Sequence, residues 1–169
     1  GISGRSLEVV KEAIKKPYGM ILFTGPTGSG KTTTQYAILR LLNKESVNIV
    51  TVEDPIEYSI AGINQSQVKP EIGYTFASGL RQILRQDPDV ILIGEMRDLE
   101  TIESALIIAE TGHLVFATLH TSDCVQTINR IVDVFPAHKQ EQTRTQLSFV
   151  LIGVLSQQLI PKAEDTGRV

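Results

Sequence analysis

"GPTGSGKT", residues 25–32, follows the apolar run "MILF" at 20–23 and precedes "TTQYAILRLLN" at 33–43. Gly25, Gly30, Lys31 and Thr32 satisfy the spacing G-x-x-x-x-G-K-[ST] of a phosphate-binding loop. Glycines let the backbone wrap closely around phosphate oxygens with its N–H groups turned inward. The helix that follows offers its positive end to the anion. Residues Gly25, Pro26, Thr27, Gly28, Ser29, Gly30, Lys31, Thr32 and Thr33 are therefore the candidate nucleotide-binding segment. Lys31 would reach the β- and γ-phosphates of a nucleoside triphosphate, and the Thr32 hydroxyl would bind Mg²⁺. The competing reading is a glycine-rich strand–helix turn. The strand before the loop and the helix after it speak for the phosphate loop.

Outward from this loop, apolar strands and amphipathic helices alternate. The strands are "GMILFTG", "VNIVTVEDP", "VILIGE" and "LVFATLH". The helices are "RSLEVVKEAIKK", with Ser6 as its cap, then "GKTTTQYAILRLLN", "TFASGLRQILRQ", "DLETIESALIIAETG" and "TSDCVQTINRIVDVF". The stretch "HKQEQTRTQLSFVLIGVLSQQL" is expected to be one long helix that becomes apolar towards its end. Its residues 147–159 would be core or a subunit contact. Residues 59–74, with Gly62, Pro70 and Gly73, read as a loop with a short hairpin. Such alternation predicts an α/β fold: a mainly parallel sheet with helices on both faces. Ligands of open α/β sheets bind at the C-terminal edge of the strands, where the short polar motifs fall here.

The 169 residues suffice for one packed domain. A formal net charge of −3 advertises no nucleic-acid surface, and the single Cys124 excludes an internal disulfide or a multi-cysteine zinc site. Cys124 itself is expected to be a buried small side chain. No apolar run is long enough to span a membrane and no secretory signal heads the chain, so a cytoplasmic protein is expected. Both ends read as cuts inside a larger protein, "EDTGRV" being the start of a further strand.

Chemistry is expected from acids at strand ends. "VILIGE" has Gly94 where a metal-holding aspartate often stands, followed by Glu95. Two roles are open for Glu95: orienting the attacking water, or helping to hold Mg²⁺. A helix N-terminal acid is the plainer alternative. Glu53, Asp54 and Glu57 lie on the same predicted edge, and Glu53 could reach the metal through water. Asp87 and Asp89 read as turn residues. His113 and His120 stand at opposite ends of one predicted strand. His120, beside Thr118 and Thr121, could sense the γ-phosphate, although a lone histidine is more often structural. Arg81, Arg85 and Arg97 lie near these motifs as possible arginine contacts. Spacing does not choose among them, and surface ion pairs are the plainer reading.

Taken in order, "GPTGSGKT", "TVEDPIE", "VILIGEMRD" and "TGHLVFATLHT" resemble the Walker A, Asp box, atypical Walker B and His box of the secretion ATPase superfamily. That family includes type IV pilus assembly and retraction motors and type II secretion motors. The resemblance implies a RecA-like ATPase core over residues 1–169, truncated at both ends. An N-terminal PAS-like domain would precede it and a C-terminal helical part would follow. It further implies a homo-hexameric ring on an inner-membrane platform protein, with ATP at the clefts. On matching positions Glu95 is the catalytic glutamate, Glu53 the Asp-box acid, and His113 and His120 the His-box pair. Arginines of the N-terminal domain would complete the site, leaving this fragment a poor ATPase by itself. The segment "VEDPIEYSIAGINQSQVKPEIGYTFASGLRQILRQDPD" looks like the assembly and secretion branch. "GEMRDLETIESALIIAETGHLVFATLHT" with "TINRIVDVFP" looks like the retraction branch, as does "IPKAEDTGRV", which lacks the zinc-binding cysteines common in assembly motors. The resemblance leans towards retraction.

Overall fold

The computed structural model describes residues 2–163. The predicted strand at "EDTGRV" lies outside them. Six strands form one sheet: β1 (Gly19–Thr24), β2 (Ile49–Glu53), β3 (Asn64–Gln67), β4 (Val90–Ile93), β5 (Leu114–Leu119) and β6 (Leu151–Ser156). Their order across the sheet is β3-β2-β4-β5-β1-β6, and every pairing is parallel. β1, β2, β4 and β5 are buried along their whole length, as expected for strands covered on both faces.

The helices are α1 (Gly4–Ala13), α2 (Lys31–Leu42), α3 (Phe76–Ile83), α4 (Leu99–Glu110), α5 (Cys124–Asp133) and α6 (Ala137–Val150). They divide between the two faces. On one face Val10 and Ile14, from α1 and the residue that caps it, and Tyr36, Ile38 and Leu39 of α2 pack on Ile21, Phe23, Leu92 and Phe116 of the sheet. On the other, Leu80, Ile102, Leu106, Ile131 and Leu147, from α3 to α6, pack on Leu22, Val52, Ile91 and Val115. Caps follow the chain's polar punctuation. Asp98 accepts from the Thr101 N–H at 2.8 Å, Asp123 accepts from the Gln126 N–H at 2.9 Å, and Thr75 and Ser78 form a capping box.

Several expectations are corrected. The first helix begins at Gly4, so Ser6 lies inside it and Ser3 takes the cap position. The stretch expected as one long helix divides at Val150, and Leu151–Ser156 pairs with β1 as the edge strand β6. A continuous apolar run does not distinguish a buried helix from a strand, and here the open backbone edge of β1 takes it as a strand. The short hairpin expected within residues 59–74 is a single antiparallel bridge, Lys69 with Tyr74, and residues 64–67 take no part in it. They pair in parallel with β2, from Val50 opposite Asn64 to Glu53 opposite Gln67. Cys124 is exposed at the first turn of α5. Asp87 and Asp89 are turn residues as read: Asp87 takes a left-handed φ of 51°, and Asp89 accepts from the Asn48 N–H at 2.7 Å.

Candidate functional site at the C-terminal edge of the sheet

The four central strands lie in the order β2, β4, β5, β1, and each ends in one of the sequence motifs. Glu53 closes β2, Glu95 follows β4, His120 follows β5, and the phosphate loop follows β1. Together they line a cleft of about 730 Å³ that also includes Thr27, Gly28, Gly30, Lys31, Thr32, Thr33, Gln35, Arg97 and Thr118.

The loop is built to receive an anion. Gly25, Gly28 and Gly30 have φ of 136°, 78° and 87°, which side chains disfavour. Gly30 caps α2 without a side-chain cap, and among the described residues no side chain bonds to the first-turn N–H groups, which leaves the positive end of the helix turned to the cleft. Lys31 is buried, and its Nζ donates to the carbonyls of Gly25 at 2.7 Å and Pro26 at 2.9 Å. Burial lowers its pKa, and the negative charge of Glu95 opposes that shift. Pro26 is exposed, whereas Ser29 is buried beneath the loop.

The two carboxylates differ in kind. Glu53 is only 4% exposed and is fixed by neutral donors. Thr51 Oγ1 donates to its Oε1 at 2.6 Å, Gln65 Nε2 to the same oxygen at 3.1 Å, and the Tyr36 hydroxyl to Oε2. Tyr36 is itself held edge-on by Tyr58, ring centroids 4.7 Å apart, with Arg40 over the Tyr58 ring. Burial, then the bond to Glu53, pushes the Tyr36 pKa up. Glu95, by contrast, meets a guanidinium and an imidazole: Arg97 Nε lies 2.5 Å from its Oε1 and His120 Nε2 lies 3.4 Å from its Oε2. The Arg97 pKa is raised, first by its hydrogen bond to Glu95.

His120 is hitched to the phosphate loop through its neighbour. The Thr24 hydroxyl bonds the carbonyl of Thr121 and its Oγ1, the latter at 2.6 Å, and Thr121 Oγ1 continues to Thr127 Oγ1 at 2.6 Å. The loop that carries His120 is thus tied to the residue before Gly25.

Not every candidate is brought here. His113 precedes β5 at the opposite edge of the sheet, about 20 Å away at about 3.3 Å per strand residue. Its Nδ1 lies 3.1 Å from the carbonyl of Ile108 at the end of α4, so within this chain it secures a turn and does not touch the cleft. Arg81 pairs with Glu100 on the surface between α3 and α4. Arg85 is exposed in the short turn after α3. Of the three arginines only Arg97 lines the cleft. Sequence reasoning passed over Gln35, Tyr36, Thr51, Tyr58 and Gln65. Gln35, whose Nε2 donates to Thr118 Oγ1 at 2.8 Å, was discoverable, because it stands one turn after Lys31 on the same helix face. Gln65 sits in a polar strand with no apolar alternation and gave no signal.

Glycine-rich phosphate loop, uncapped α2 and acids at adjoining strand ends define a RecA-like nucleotide-binding domain. The comparisons carry this further. The chain belongs to the type II/IV secretion system protein family, which matches residues 1–169. It is 51% identical over 160 residues to type II secretion system protein E of Pseudomonas aeruginosa, covering 95% of this chain and 31% of that protein. It is 54% identical over 134 residues to the type IV pilus assembly ATPase PilB of Myxococcus xanthus, covering 79% of this chain and 24% of that protein. The crystal structure of the pilus retraction motor PilT with bound ADP superposes with a TM-score of 0.90 at 50% identity, over 100% of this chain and 49% of that one. The chain thus spans about a third or less of these curated relatives and half of the solved structure.

Proposed function

We propose that this chain is the ATP-hydrolysing core of a homo-hexameric motor that withdraws pilin subunits from a type IV pilus. The observation that carries the ATPase reading is the convergence of the phosphate loop, Glu53, Glu95 and His120 from four adjoining strands on one cleft. Lys31 and the N-terminus of α2 bind the β- and γ-phosphates, with the lysine exchanging its loop carbonyls for phosphate oxygens. The donor set fits Mg²⁺: Thr32 would hold it directly, and Glu53 and Glu95 through water. When bound, that ion neutralises charge on the β- and γ-phosphate oxygens.

Glu95 takes the proton of the attacking water. For that, its carboxylate must be released from Arg97, which then has phosphate charge as its alternative partner. His120, against the other oxygen of Glu95, keeps that carboxylate aimed and reports loss of the γ-phosphate through Thr121 and Thr24. His113, Arg81 and Arg85 lie outside this cleft, so any catalytic part for them is played at a neighbouring subunit. The ring would work on the cytoplasmic side of the inner membrane against a platform protein, with no nucleic acid involved. Among the described residues no helix is long and apolar enough to cross a membrane.

Retraction is supported by the superposition on PilT along the full chain. The second reading, pilus assembly or type II secretion, is favoured by the 51–54% identity to protein E and PilB. Replacing Glu95 by Gln in the full-length ring tests the chemistry. Steady ATP hydrolysis should fall about 10²- to 10⁴-fold while nucleotide binding persists. Unchanged turnover would remove Glu95 from the reaction, and a protein that binds but never hydrolyses ATP would be a binding module. Deletion of the gene separates the two motors: excess pili without twitching means retraction, and absence of pili means assembly.

A further inference from the structure

Gln157, the residue after β6, meets both ends of the phosphate loop. Its N–H donates to the carbonyl of Thr24 at 2.8 Å, which extends the β6–β1 pairing by one step. Its own carbonyl presses on Gly25, where an added Cβ would stand 2.1 Å from the oxygen. Its side chain crosses to the far end of the loop. Nε2 donates to Thr34 Oγ1 at 2.9 Å in the first turn of α2, and lies 3.9 Å from where a Cβ on Gly30 would stand. The other amide atom, Oε1, is buried without a hydrogen-bond partner among the described residues, as is Ser29 Oγ. A buried polar atom left unpaired costs about 1–3 kcal/mol. Such costs are tolerated where position matters more than stability.

We propose that Gln157 is a positioning residue for nucleotide binding: it fixes the span of the phosphate loop, from Thr24 to Thr34, and so holds the loop's N–H groups in the geometry a triphosphate requires. The inference rests on the ATP-binding reading above. Gln157 does not touch the cleft, so it acts only through the loop. It also makes loop geometry a property of β6. α6 passes into β6 with no intervening residue, so a displacement of α6 reaches the phosphate site.

The test is a double-mutant cycle in the full-length protein, read as the Kd of MgADP and the KM and kcat for MgATP. Gln157→Met keeps the length of the side chain and removes the amide; Thr34→Val removes the acceptor from the other side. Each single variant should raise the Kd about three- to tenfold, the worth of one hydrogen bond. The double variant should be no weaker than the weaker single. The KM should rise with little change in kcat, and Thr34→Ser should restore wild-type binding because it keeps the hydroxyl. Wild-type Kd in both single variants overturns the proposal. So do effects that multiply independently, or a loss confined to kcat. If Gln157→Met does not fold, Thr34→Val and Thr34→Ser decide alone, with equal Kd values counting against it. Wild-type protein that binds neither nucleotide overturns the ATP reading and this inference with it, whereas wild-type binding with indifferent variants overturns only the inference.

Discussion

Tyr36 shows how one side chain can fix an acid without a cation. Its hydroxyl, with those of Thr51 and the amide of Gln65, surrounds the Glu53 carboxylate in a site where both residues are buried. Tyr36→Phe should cost about 1–3 kcal/mol, because Glu53 then keeps its burial and loses a donor. Urea unfolding of the two proteins measures this. The raised Tyr36 pKa gives the pH dependence its sign. The unfolded state gives up the phenolic proton from about pH 10, while the folded state retains it. The contribution of Tyr36 is therefore complete below about pH 10 and lost as pH rises beyond it. Unfolding midpoints taken from pH 9 to 11 should fall more steeply for the wild type than for Tyr36→Phe.

Among elements, the contact of β2 with β4 explains a missing residue. Gly94 follows β4, and a Cβ there would stand 3.1 Å from Glu53 Cα and 3.1 Å from the Val52 carbonyl. Both are backbone atoms, which yield little. A side chain at this place would require that backbone to shift, which disfavours the aspartate that often holds metal here, and the carboxylate in the cleft is that of the adjoining Glu95. Gly94→Ala should destabilise by about 1–3 kcal/mol, and Gly94→Asp should do no better and should not raise hydrolysis. Thermal unfolding and ATPase assays of the two variants check this; a stable, faster Gly94→Asp protein would refute it.

The same scale shows what could be read in advance. Four strands, their helices and the alignment of their polar ends were legible, because buried apolar runs bounded by glycine and acid have one sensible place in a parallel sheet. The division of α6 from β6 was not, because "LSFVLIGVL" satisfies both a helix stripe and a buried strand. β3 was not legible either, since "NQSQ" is held by backbone pairing to β2, to which its side chains' polarity gives no clue. Within the cleft, the placement of the phosphate loop, Glu53, Glu95 and His120 side by side was legible from type and position. The network around Glu53 was hidden because its donors come from α2, β2 and β3, which only the folded chain unites.

For the whole molecule, the cleft is formed at one edge of the sheet and remains open to solvent on the side of Glu57 and Tyr58, both exposed. Arg81 and Arg85 do not line it. If a neighbouring subunit completes the site, specific activity should depend on protein concentration. Dilution of the full-length ring through its assembly range should lower turnover per subunit about 10³-fold or more, the scale at which a supplied arginine acts. Sedimentation at the same concentrations should show the ring dissociating in step. Constant turnover through dissociation would show that each subunit works alone.

The exposure of Cys124 has a practical consequence. It is the chain's only cysteine, and it stands at the start of α5, four residues beyond His120, with its Sγ 3.8 Å from the carbonyl of Val154 in β6. A fluorophore coupled there, in a full-length chain with no other accessible thiol, would sit between the histidine loop and the strand that leads to Gln157. Its emission would then give a time-resolved optical record of rearrangement during each catalytic cycle, without any further engineering of this domain.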